Sequence, residues 1–268
     1  MVGRRRRTRH ERPVPAPSAG AAPAAPRRRR AAALLLLLLV AMPLPGGAAL
    51  PGVDCPAVPV QPLVLPEFRA ALRAGRPVTI VALGSSSTSG ASASSPTATY
   101  PARLEAALRA ARPGLAVRVV NRGVSGQQAH DMVARIPTEV LPDRPDLVIW
   151  QTGANSALRR ADPERFRTLV ATGVALLREG GAEVVLMDNQ RAPRIDSQPG
   201  HARFDAALSG LAGRDGVTLF SRGRLMDTWI AAGTPAAEML AEDGLHHSDR
   251  GYACLAAALA DALLAEPF

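Results

Sequence analysis

The sequence contains no lysine; all 32 of its basic residues are arginine. A Walker A loop sets a lysine on the β- and γ-phosphates, and Schiff-base chemistry needs a lysine amine, so both are excluded. Cysteine is nearly absent, with two residues in 268. They are Cys55 and Cys254, and with no Cys-x-x-Cys a zinc ribbon is excluded. Aromatic residues are scarce: two Trp, two Tyr and five Phe. They form no cluster that suggests a stacking platform for a sugar. No apolar run reaches the roughly 20 residues that a membrane-spanning helix needs. Internal repeats are also absent. The length suits one domain with a sizeable core.

What the chain does have is charge, and the charge is local. The formal net charge is +9. Residues 1–30 hold ten arginines and one acid, Glu11, and so carry all of that excess. The remaining 22 arginines and 22 acids cancel. The basicity therefore belongs to a tail and says little about what a folded surface binds. Arg27–Arg30 run directly into Ala31–Met42, an apolar stretch, and then Pro43, Pro45, Gly46, Gly47, Ala48 and Ala49 follow. A positive segment, a short apolar segment and small residues read as a secretory signal, with cleavage near Ala49. A nucleic-acid arm is the competing reading, but no aromatic residue interleaves the arginines. In an oxidising compartment Cys55 and Cys254 would pair and tie an N-terminal strap to the last helix; two separate buried thiols are the alternative.

Beyond the tail, strands and helices alternate. Residues 50–65 are rich in Pro and Val and read as an extended strap. Pro66–Gly75 reads as a short helix with Pro in its first turn. Short apolar or β-branched runs at 78–83, 117–121, 146–151, 183–188 and 217–220 read as strands. Helical patterns fall at 100–111, 127–140, 162–179, 200–212, 225–232 and 252–265. This alternation predicts an α/β class fold, a three-layer α/β/α sandwich with a parallel sheet and right-handed crossovers. Ligands bind such sheets at the carboxyl ends of the strands. Chemistry is thus to be sought in the loops after Leu83, Asn121, Gln151 and Asp188, and before the last helix.

Gly84-Ser85-Ser86-Ser87-Thr88-Ser89-Gly90 is either a flexible turn or a strand end bearing a nucleophilic serine. Asn121-Arg-Gly-Val-Ser-Gly-Gln127 has glycines that can aim a backbone N–H at an oxyanion. Ser125 is a weaker nucleophile candidate, because Gln127 stands where a Gly-x-Ser-x-Gly elbow requires glycine. Asn155, in Gln151-Thr-Gly-Ala-Asn155, is either a helix cap or an oxyanion donor. In Asp243-Gly-Leu-His246, an acid and a histidine three apart can share a hydrogen bond, leaving the second ring nitrogen to take a serine proton. Two solvated histidines, or a metal site from His246, His247, Asp243 and Asp249, are the rivals. Arg191 and Arg194 are either pocket-lining cations or solvated loop charges.

Taken in order, these loops resemble the four blocks of the SGNH (GDSL) hydrolase family: Gly84–Ser87, Asn121–Gly126, Gly153–Asn155 and Asp243–His246. The resemblance implies a flavodoxin-like five-stranded parallel sheet of order 2-1-3-4-5. It implies Ser86 as nucleophile, His246 as general base and Asp243 as its orienting partner. An oxyanion hole would be formed by the Ser86 and Gly126 backbone N–H groups and the Asn155 amide. It implies neither cofactor nor metal. Three positions depart from the family pattern: Ser85 for Asp, Ala154 for Gly and His247 for Pro. The first leaves Ser85 and Ser87 as rivals of Ser86. The implied organisation is a basic tail and signal over 1–49, a strap and short helix over 50–76, and the hydrolase domain over 77–268.

The implied function is an exported, periplasmic or secreted serine esterase. Its substrate would be a small-molecule or polysaccharide ester, with a short acyl or O-acetyl group. It would need no nucleic acid and would meet the membrane only through its signal. The alternatives are an O-acyltransferase on cell-envelope polysaccharide, using the same residues, and a non-catalytic binding domain.

Overall fold

A computed structural model describes residues 53–213 and 216–265. The expected tail and signal lie outside the described residues. Five strands form the sheet: β1 (Val78–Gly84), β2 (Val117–Gly123), β3 (Leu147–Gln151), β4 (Glu183–Met187) and β5 (Val217–Phe220). All pairings are parallel, as the alternation predicts, and the order is β2-β1-β3-β4-β5, as the family resemblance implies. Strands β3 and β4 are buried at every position, which is why they read as unbroken apolar runs rather than alternating ones.

Among the described residues eleven α-helical segments connect and flank the strands. They are α1 (Pro66–Arg73), α2 (Ser86–Ser89), α3 (Tyr100–Ala111), α4 (Ala129–Arg135), α5 (Ala154–Leu158) and α6 (Pro163–Glu179). After these come α7 (Pro193–Asp196), α8 (Ala202–Leu211), α9 (Arg222–Ala231), α10 (Ala236–Met239) and α11 (Asp249–Leu264). Helices α3 and α11 pack together, while α6 packs against α4 and α8. These are the two outer layers that right-handed crossovers impose on this strand order. Among the described residues no helix is long and apolar enough to cross a membrane.

Three boundaries differ from the sequence reading. The segment read as one helix over 127–140 is α4 followed by a wide turn, Ile136–Val140, and a tight one, Leu141–Asp143. Pro137 and Pro142 remove the amide donors that a continuous α-helix would need there. Helices α9 and α11 start three residues earlier than their apolar patterns suggest. Ser221 and Ser248 cap them, accepting from the amides of Arg224 and Gly251 at 3.2 Å each. The short α2, α5, α7 and α10 escape a periodicity argument because four or five residues carry no helical period.

Residues 53–65 form the extended strap, and Leu63 and Leu65 are buried in the core. Cys55 and Cys254 form a disulfide across 199 positions, with Cα atoms 5.4 Å apart. It joins the strap to α11. In the chain-entropy account, closing so long a loop stabilises by about 5 kcal/mol, and measured native disulfides give roughly 2–5. Replacing both cysteines by serine should lower Tm by roughly 10 °C for a domain of this size. Thermal unfolding with and without reductant checks this. A reductant-insensitive wild-type Tm would contradict it.

Candidate functional site

The sheet order reverses direction between β1 and β3, and the site forms at the carboxyl ends of those two strands. Strand β1 ends at Gly84, and the chain turns at once into α2. A side chain at Gly84 has no room: a Cβ there would sit 2.1 Å from Thr88 Oγ1 and 2.8 Å from Gln151 Oε1. This close approach lets Gln151, at the end of β3, hold the turn from beneath. Its Oε1 accepts from the Ser85 amide at 3.0 Å, the Ser85 hydroxyl at 3.2 Å and the Thr88 hydroxyl at 3.1 Å. Ser85 is thereby drawn inward, and both Ser85 and Ser87 are buried, each 2% exposed. Ser86, between them, points the other way.

Ser86 Oγ lies 2.8 Å from His246 Nε2. His246 Nδ1 lies 2.5 Å from Asp243 Oδ2. A carboxylate only accepts, so Nδ1 carries the ring proton and Nε2 offers its lone pair to the serine hydroxyl. The Asp243-Gly-Leu-His246 turn explains the alignment. The amides of Leu245 and His246 both donate to Asp243 Oδ1 at 2.9 Å, which fixes the carboxylate under the ring. Burial pushes the Asp243 carboxyl up, but the bonds from the His246 ring and the two amides outweigh it and hold its pKa at about 2. Asp243 is therefore an anion throughout the neutral range. Gln190 Nε2 donates to the Leu245 carbonyl at 2.8 Å and pins the turn to the loop after β4.

The second block docks against the first. Val124 N donates to the Gly84 carbonyl at 3.0 Å, and Asn121 Nδ2 donates to the Thr88 carbonyl at 2.8 Å. Ser125 Oγ lies 3.0 Å from Ser89 Oγ, and Ser89 in turn donates to the Ser86 carbonyl at 3.1 Å. Ser125 is thus committed to Ser89 and has no imidazole partner, which removes it as a nucleophile candidate. The next residue, Gly126, has φ +81°, a conformation that favours glycine. The third block joins through Asn155, whose Nδ2 donates to the Gln127 carbonyl at 2.9 Å. That amide nitrogen carries two hydrogens, so one remains to serve a ligand.

The rival metal set is dispersed. His246 faces Ser86 and Asp243, whereas His247 is fully buried and its Nδ1 sits 3.0 Å from the Met239 carbonyl. Burial drives the His247 imidazole down to about 3, and the nearby Arg222 charge adds to this, so the ring stays neutral. Asp249 accepts from the amide of Ser94 at 2.9 Å and from its hydroxyl. Arg191 is not a pocket cation: it binds Asp227 at 2.9 Å and Asp205 at 3.4 Å. Arg194 is exposed on α7.

Sequence reasoning missed two supports. One is Gln151, read only as a strand end. The other is Arg135, buried on α4, whose Nε donates to Gln127 Oε1 at 2.8 Å and whose Nη2 reaches the carbonyls of Arg122 and Gly84. An arginine on the apolar face of an amphipathic helix, one turn after Met132, is the signal that would have found it.

Solved structures share this architecture. A lipase/acylhydrolase from Enterococcus faecalis is 25% identical, with 68% of this chain and 93% of that one covered and a TM-score of 0.58. The acetylxylan esterase Axe2 from Geobacillus stearothermophilus is 22% identical, with 70% and 95% covered and a TM-score of 0.60. A lipolytic-family G-D-S-L protein from Desulfitobacterium hafniense is 20% identical, with 69% and 99% covered and a TM-score of 0.58. The last two, below 25% identity, speak for the fold alone. None of the curated proteins matches the chain in sequence. The model of the non-GDSL lipase-like family matches residues 54–266, which takes in the strap, the sheet and all four loops of the site. The chain belongs to that family and is an ester-hydrolysing enzyme of the SGNH/GDSL type.

Proposed function

We propose that the protein is an exported serine esterase that removes short acyl groups, O-acetyl among them, from a small-molecule or carbohydrate ester. The observation that carries this reading is the unbroken Ser86–His246–Asp243 chain, with contacts of 2.8 and 2.5 Å. In the proposed reaction Ser86 Oγ attacks the ester carbonyl while His246 Nε2 takes its proton. The tetrahedral intermediate collapses, His246 returns the proton to the leaving alcohol, and the acyl group stays on Ser86. Water then attacks that acyl-enzyme by the same route and frees the acid. Asp243 keeps the ring oriented and offsets the imidazolium charge. The negative oxygen would be met by the Ser86 and Gly126 amides and the free hydrogen of Asn155 Nδ2.

The Cys55–Cys254 disulfide supports export, since such bonds persist in oxidising compartments. A cleft of about 280 Å³ adjoins the second and third blocks without taking in Ser86 or His246. Gln128 and Ser156 line it, next in sequence to the hydrogen-bonded pair Gln127 and Asn155. Axe2 acts on acetylxylan by its name, and that likeness favours an acetylated sugar among the possible alcohols.

The hole gives a graded test. A single oxyanion donor contributes about 3–4 kcal/mol in the transition state. Asn155→Ala should therefore lower kcat for p-nitrophenyl acetate about 10²–10³-fold, with KM nearly unchanged. A loss confined to KM would remove Asn155 from the hole. Assaying acetate release from acetylated oligosaccharides, with and without an added sugar acceptor, separates hydrolysis from acyl transfer. Free acetate in excess of transferred acetyl is the expected result.

A further inference from the structure

Arg159 lies beside the proposed hole, and among the described residues no ion pair or side-chain hydrogen bond engages it. It follows α5, one turn after Asn155, and its amide donates to the Asn155 carbonyl at 3.0 Å. Its side chain turns back over the second block. A methyl group built on Gly126 would lie 3.7 Å from Arg159 Nη2. The guanidinium thus sits beside the residue whose amide is placed at the reacting oxygen. It is exposed, and it makes no ion pair among the described residues.

Three other arginines that brace the fold here are paired. Arg135 is bound to Glu139 at 2.9 Å, Arg122 to Asp143 at 2.9 Å and Arg191 to Asp227 at 2.9 Å. Two acids on the adjoining segments have partners of their own. Asp131 is held by the Gln128 amide at 2.9 Å and by His130 at 3.2 Å, and Asp162 caps α6 through the Glu164 amide at 3.0 Å. Arg165, on the rim of the adjoining cleft, is exposed and makes no ion pair among the described residues. Arg159 thus sets a guanidinium with no carboxylate partner among the described residues beside the hole.

We propose that Arg159 is a specificity-determining residue that selects esters carrying an anionic group, a carboxylate or its equivalent, within a few ångströms of the scissile carbonyl. This rests on the hydrolase reading of the same site. A guanidinium presents paired N–H donors that match a carboxylate, and an ammonium does so less well. The anionic group could belong to the acyl part or to the alcohol, and the test separates them.

Three esters would be compared: neutral p-nitrophenyl acetate, 4-acetoxybenzoate with its carboxylate on the alcohol side, and p-nitrophenyl hemisuccinate with its carboxylate on the acyl side. The readout is the ratio of kcat/KM for each anionic ester to that for the neutral one. Arg159→Ala should lower one of the two ratios about fivefold, the upper range for a solvent-exposed charge pair, and mainly through KM. The ratio that moves identifies the side. Arg159→Lys should recover part of it, and Arg159→Glu should lower it further. In 0.5 M salt the wild-type ratio should shrink toward that of Arg159→Ala, since the interaction is screened. Both ratios unchanged in Arg159→Ala and Arg159→Glu would overturn the inference and leave the hydrolase reading intact. No turnover of any of the three esters by the wild type would overturn both.

Discussion

Ser86→Ala should lower kcat for p-nitrophenyl acetate by at least about 10⁴-fold while leaving Tm within a degree or two of the wild type. The size follows from the loss of covalent catalysis. Without Oγ no acyl-enzyme forms, and only the hole and general binding remain, which are worth roughly 10³–10⁴ over water in comparable sites. The small effect on Tm follows from the packing. Ser86 Oγ bonds only to His246 among the described residues, and the turn is held instead by Gln151 and the neighbours of Ser86. A variant that unfolds, or one that keeps its rate, would each contradict this arrangement.

His246→Ala should cost nearly as much, again about 10⁴-fold or more in kcat. A serine hydroxyl is a poor nucleophile unless a base takes its proton as the bond forms. Nε2 is the only base within hydrogen-bond distance of Ser86 Oγ among the described residues. His247, next in sequence, is no substitute: it is buried, engaged by the Met239 carbonyl, and turned into the core. The two losses should not add. Ser86→Ala with His246→Ala should be no slower than either single variant, because both remove the same step. Additive losses would mean that the two side chains act independently. Asp243 holds its charge down to a pKa of about 2, so any loss of wild-type rate above pH 4 arises from another group.

The sheet was legible in the sequence because each strand is a short apolar run closed by turn residues, and because alternation with helices leaves few topologies. The hydrogen-bonded Asp243–His246 pair was legible for a local reason. Asp243 and His246 are three apart, and the two amides that aim the carboxylate lie within the same turn. The proposed nucleophile was not legible to one residue. Ser85, Ser86 and Ser87 are chemically alike, and what separates them is Gln151, 66 positions away, drawing Ser85 inward. Arg135 was hidden for the same reason. Its partners Gly84 and Arg122 lie 51 and 13 positions away, beyond any local pattern. Arg191 was left open between two readings, since its two acids come from α8 and α9, which only the fold brings near. Arg159 drew no attention, because reach over Gly126 depends on how α5 leaves β3. The disulfide was anticipated as one of two outcomes, and the closing of strap onto α11 makes it the one found.

The central claim is that Ser86, and no other serine, is the activated nucleophile. The direct test is to treat the purified protein with a fluorophosphonate and map the modified residue by mass spectrometry. One adduct per chain, on Ser86, lost in His246→Ala, is the expected result. An adduct on Ser85, Ser87 or Ser125, or a folded wild-type protein that takes no label, would contradict it.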